Sequence, residues 1–77
     1  MPTIFEAFGF RFFFYSSDGL EPIHVHVDGH GAIGKWWIDR DQWEFHRGFS
    51  VRDRSKVERE LRSRKQEIVD AWRAHFG

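Results

Sequence analysis

The 77-residue sequence contains no cysteine, which excludes a disulfide framework and thiolate metal ligands and suits a reducing compartment. It has no net charge, with 12 Lys/Arg balancing 12 Asp/Glu, so no overall field draws it to nucleic acid or to a membrane surface. Long apolar runs are missing too, because Glu6 and Arg11 interrupt the aromatic stretch MPTIFEAFGFRFFFYSSDG. Neither a signal peptide nor a membrane span is therefore expected, and a cytoplasmic location is. There is no GxSxG elbow, phosphate-binding glycine loop or HExxH, so no established catalytic motif supports a reaction. Internal repeats and low-complexity segments are also absent.

Aromatic residues are abundant instead. Nine Phe, four Trp and one Tyr supply large side chains to a chain that can form only one small domain, 1–77, with a β-rich part over 1–48 and a helical part over 50–76. Charge is unevenly spread. Residues 1–51 hold four Lys/Arg against seven Asp/Glu, whereas residues 52–65 hold seven basic and three acidic residues.

Thr3 to Phe8 and Phe10 to Ser16 are rich in β-branched and aromatic residues and meet at Gly9, which predicts two strands and a tight turn. SSDGLEP breaks that pattern. Ile23 to Asp28 alternates apolar and polar residues, Gly29 and Gly31 mark a turn, and Ala32 to Ile38 reads as another strand. The segment 39–48 reads as a fifth, edge strand or an irregular crossing. Ser50 is a candidate N-cap for a following helix, on which Val57, Leu61, Ile68, Trp72 and Phe76 share about a third of the circumference. Arg54, Arg64 and Lys65 fall on or beside that stripe, so either the helix bends or breaks near Ser63 or those charges face a partner. The expected fold is α+β: an antiparallel sheet of four to five strands with a carboxy-terminal helix, continuous or broken into two, packed on one face.

Two-residue alternation then divides the strands. Phe10, Phe12 and Phe14 oppose Arg11, Phe13 and Tyr15, and Ile23, Val25 and Val27 oppose His24, His26 and Asp28. The helix is expected to cover the purely apolar set. If the second and third strands are neighbours, a plausible register puts Tyr15 near His24, Phe13 near His26 and Arg11 near Asp28 on the uncovered face.

The pair His24 and His26 admits three readings. Histidines at i and i+2 on a strand can share one ion, with Asp28, Glu21 or His30 supplying further ligands; a divalent metal is then the cofactor, and otherwise none is expected. As a catalytic set, His24, His26, Tyr15 and Arg11 offer an acid or base near neutral pH and a cation for phosphate, a kit for metal-independent, ribonuclease-like cleavage. As an interaction surface, Phe13, Tyr15, Trp36 and Trp37 would leave aromatic area in water unless a homodimer or a small partner protein covered it, with Arg and His at its edge. Nucleic-acid binding is a separate possibility, through Arg52, Lys56, Arg59 and Arg62 along one side of the helix. Of these readings, the interaction module ranks first.

The blocks MPTIF, GFRFFFYS at 9–16, EPIHVHV at 21–27, RGFS at 47–50 and the ending AWRAHFG resemble a small bacterial family, the domain of unknown function numbered four-one-six-zero. Ile23 stands where that family usually has a second proline. The resemblance implies no chemistry. It does imply a gene set beside another small one, as in toxin–antitoxin modules, and hence a protein that is one half of a pair.

Overall fold

The structure, a computed structural model, describes residues 3–77; Met1 and Pro2 of the MPTIF block lie outside the described residues. Five strands form one antiparallel meander in chain order: β1 (Thr3–Ala7), β2 (Phe10–Phe13), β3 (His24–Gly29), β4 (Ala32–Trp37) and β5 (Gln42–Arg47). Two helices follow, α1 (Val51–Ser63) and α2 (Lys65–Phe76). The fold is α+β, as the alternating and helical patterns predict, and residues 42–47 form the edge strand.

The two tight hairpins are built alike. Phe8–Gly9 and His30–Gly31 both have positive φ at each residue, the geometry of a type I′ turn whose twist matches the flanking strands. His30 Nε2 lies 3.1 Å from the Phe8 carbonyl oxygen and ties one turn to the other. His30 is thereby committed to structure.

β2 ends earlier than the expected Ser16, because Ser16–Leu20 curl into a 3-10 turn instead of continuing the ladder. Register on β2 and β3 matches expectation for Arg11 opposite Asp28 and Phe13 opposite His26. Tyr15 is the exception. It lies beyond the strand, and its ring sits 4.8 Å from that of His26.

Alternation sends Phe12, Val25, Val27 and Trp36 to one face, where they join Phe5, Phe10, Val57, Leu61 and Ile68 in a continuous core. Ser50 caps α1, its hydroxyl accepting the Asp53 N–H at 3.0 Å. Gly48 precedes the cap with φ +82°, and a Cβ there would meet the Gly31 carbonyl oxygen at 2.8 Å, so a residue without a side chain is required.

The helix breaks at Arg64, which has φ −107° and ψ 23°. Its guanidinium stacks on Phe5 at 3.5 Å and pairs with Glu67 at 2.9 Å and Glu60 at 3.5 Å. Lys65 reaches Asp41 at 3.5 Å. The charges that interrupt the apolar stripe thus find their partners within the chain. Beyond the break, Trp72 packs on Phe14 and on His24, a residue of the opposite sheet face. The break thus lets α1 cover the core while α2 reaches His24.

Truncating the centre of this core, Leu61→Ala, is expected to cost about 2–5 kcal/mol, and Ser50→Ala about 1 kcal/mol, both read by urea denaturation followed by tryptophan fluorescence. A Leu61→Ala loss no larger than that of Ser50→Ala would show that α1 is not the lid of the core.

Candidate metal centre

His24 and His26 project from β3 away from the core, because their neighbours Val25 and Val27 fill it. A flat sheet would leave both in water. The 3-10 turn prevents this by folding Asp18 over them, and His24 is 0% exposed. Turn chemistry places the carboxylate: Asp18 Oδ2 accepts the Tyr15 N–H at 2.8 Å, while the Asp18 N–H donates back to the Tyr15 carbonyl at 3.0 Å.

One carboxylate oxygen then faces two imidazoles. Asp18 Oδ2 lies 3.1 Å from His26 Nε2 and 3.1 Å from His24 Nε2. The two contacts are unequal. His26 is aligned for a hydrogen bond and, with the proton on Nε2, donates it to Asp18. His24 Nε2 has the distance but not the direction, and it is a buried nitrogen without a hydrogen-bond partner.

The other nitrogen of His24 explains why. His24 Nδ1 is 2.9 Å from the Pro22 carbonyl oxygen, which can only accept, so Nδ1 carries the proton. With the proton on Nδ1, Nε2 carries an unshared lone pair that no donor meets, 3.1 Å from a carboxylate oxygen. A buried acceptor left without a donor is unfavourable, and a metal ion bound at Nε2 would remove that cost. A ring N–H donated to a backbone carbonyl, with the second nitrogen free, is also the arrangement found behind most metal-ligating histidines.

The donor set is Asp18, His24 and His26, with one ligand atom from each lying within 4.8 Å of the other two. Donors about 2.0–2.1 Å from a tetrahedral ion lie about 3.3 Å apart, so the two 3.1 Å separations already match two edges of such a site. Two imidazoles and a carboxylate suit zinc, iron, cobalt or nickel over the soft Cu(I).

Electrostatics follow from the same packing. Burial pushes the His26 pKa below its ordinary value, outweighing the Asp18 charge that would raise it, and His24 and Lys35 add to the depression. At Asp18 burial acts in the raising direction. It is overcome by the Tyr15 N–H and by the two histidines, which together hold the carboxyl below its ordinary value.

The expected ligand Asp28 is not in this set. It forms a two-point pair with Arg11, Oδ2 to Nη2 at 3.0 Å and Oδ1 to Nε at 3.3 Å, and Glu21 is held by Lys35 at 2.8 Å. The catalytic candidates Arg11, Tyr15, His24 and His26 do share one region, but His24 is sealed from solvent and Arg11 is engaged by Asp28. Of the four aromatic residues expected to be exposed, Tyr15 is 41% exposed, whereas Phe13 and Trp36 are 1% and Trp37 is 9% exposed. Trp36 points into the helix-covered core, and Trp37 packs against His24 while donating to Glu44 at 2.7 Å. The expectation of a four-residue aromatic patch is corrected by this packing. Arg52, Lys56, Arg59 and Arg62 lie on α1, away from the histidines.

Asp18 is the residue that sequence reasoning passed over. SSDG announces a turn, and aspartate is favoured in turns because it binds nearby backbone. That signal locates the residue without revealing that the turn closes over β3.

Residues 9–73 match the model of a family described as Domain of unknown function (DUF4160). The chain belongs to this family. No curated protein and no solved structure shows significant similarity to it. DUF4160 membership thus carries no activity with it; the matched span contains Asp18, His24 and His26.

The depressed His26 pKa sets a pH response for the metal-free protein. The unfolded chain binds this proton more readily than the folded one, so stability is expected to fall as pH drops below about 6.5 towards the lower folded value. The low Asp18 pKa adds a second loss, below the ordinary carboxylate pKa of 3.8. Denaturation midpoints at pH 7.5 and 5 should separate in wild type and converge in His26→Gln; an unchanged separation would assign the effect elsewhere.

Proposed function

We propose that this chain is a metal-binding protein that holds a divalent transition ion between Asp18, His24 and His26. One observation carries the reading: a fully buried His24 Nε2, its tautomer set by Pro22, without a hydrogen bond and 3.1 Å from a carboxylate oxygen. Three protein donors leave at least one coordination position for water or an added ligand. Arg11, Tyr15 and His26 reach solvent in this region, so that position lies on the sheet face not covered by α1. The ion would supply a Lewis-acidic centre and a tie between the 3-10 turn and the sheet.

Calorimetric titration of the folded, metal-free protein with Zn(II), and visible spectroscopy with Co(II), test this directly. Asp18→Asn and His26→Gln should each weaken binding about ten-fold or more, whereas Asp28→Asn should leave it unchanged. The reading fails if wild type takes up no ion, or if Asp28→Asn is as damaging as Asp18→Asn; the cluster is then a proton-held network.

A second reading has its own support. Tyr15, Ile33 and Phe45 are exposed hydrophobic residues on strands or turns of the face opposite α1. The small partner protein of a toxin–antitoxin-like pair, which the family resemblance implies, would bury them. Phe45→Ser should then abolish recovery of one stoichiometric small protein in a native pull-down while leaving metal uptake intact; unchanged recovery would remove the reading.

A further inference from the structure

The charge on α1 is sorted in a way its composition hides. Its solvent-exposed residues are Val51, Arg52, Ser55, Arg59, Arg62 and Ser63, with no acid among them. Its carboxylates Asp53, Glu58 and Glu60 are half-buried, and two of them are already answered. Glu58 accepts the Trp43 indole N–H at 2.7 Å and faces Arg54 at 3.6 Å, and Glu60 faces Arg64 at 3.5 Å.

Arg52, Lys56, Arg59 and Arg62 have no ion-pair partner among the described residues, in contrast to Arg54 and Arg64 on the same segment. Aromatic rings hold two of them without cancelling charge: Lys56 lies 5.5 Å from the Phe8 ring centre and Arg62 lies 5.3 Å from that of Trp36. Ser55, Arg59, Arg62 and Ser63 line a surface groove with Glu58. The Ser63 hydroxyl is spent on the Glu60 carbonyl at 3.3 Å, which leaves the guanidinium forks of Arg59 and Arg62, with Ser55 beside them, to match phosphate oxygens.

We propose that the outer face of α1 binds the phosphate backbone of duplex DNA. Spacing favours this polyanion. Arg52 and Arg62 are ten residues apart, about 15 Å along the helix axis, enough to span a B-form major groove about 12 Å wide and to reach phosphates on both sides. The deep, narrow major groove of duplex RNA does not admit a helix in this way. α2 presents Glu67 and Asp70 with Arg73 on its exposed positions, so the contact is confined to α1. No base-reading set accompanies the cations, and binding is independent of sequence.

Fluorescence anisotropy with a short labelled duplex, across about 50–200 mM salt, tests the assignment. Four phosphate contacts predict a slope of log K against log salt near −3.6, and Arg59→Gln should reduce its magnitude by about 0.9 and weaken binding several-fold. Arg73→Gln on α2 and Asp18→Asn in the histidine cluster should change neither quantity. The proposal is overturned by the absence of binding at about 50 mM salt, by equal losses from Arg73→Gln and Arg59→Gln, or by tighter binding to single-stranded RNA of the same length.

Discussion

Everything in this molecule depends on the two-residue alternation of β3. Val25 and Val27 must enter the core for α1 to have something to cover, and that requirement alone drives His24 and His26 to the other face. A shift of one residue would bury imidazoles under Leu61 and expose valines. The pairings on both sides of β3 preserve the assignment, with Phe12 opposite Val27 and Trp36 opposite Val25 on the core side.

A sheet with one apolar face and one mixed face needs more than a single helix. The chain meets this need twice. Arg64 interrupts the helix, takes both neighbouring glutamates and the Phe5 ring, and lets Trp72 pack against His24 and Phe14. On the other side of the histidines, the 3-10 turn lowers Asp18 onto them, and Phe76 of α2 lies against Gly19 of that turn. His24 is dry because two separate segments close over it. Dryness is also what makes its unshared lone pair consequential, since water would otherwise supply the missing hydrogen bond at little cost.

Much of the architecture is legible in the residues themselves. The β-strand pattern, the Ser50 cap and the stripe of Val57, Leu61, Ile68 and Trp72 are local or periodic signals, and each reflects forces acting within a few positions of the chain. The resemblance blocks lead to the family that the chain proves to belong to. The HxH pair marks the right strand for the candidate site. Its third member is not legible, because strand alternation puts Asp28 beside the histidines and nothing local shows that the turn carrying Asp18 folds over them. Arg11 takes Asp28 out of the set by pairing with it. Aromatic exposure is illegible for a similar reason: Phe13 and Trp37 belong to the uncovered side of the sheet by alternation, yet His24, His26, Tyr15 and the cations Arg11 and Lys35 pack around them.

By itself the sequence determined the α+β class, two hairpins of alternating strands, the start of the helix and the face on which the histidines lie, because these follow from periodicity and from turn residues acting locally. Tertiary structure alone decided the strand order, that Asp18 meets His24 and His26, that Asp28 does not, and that the acids of α1 are half-buried while Arg52, Arg59 and Arg62 stay exposed. Those outcomes depend on which distant groups reach each other first with the better geometry, and a linear pattern of residue types does not encode that competition.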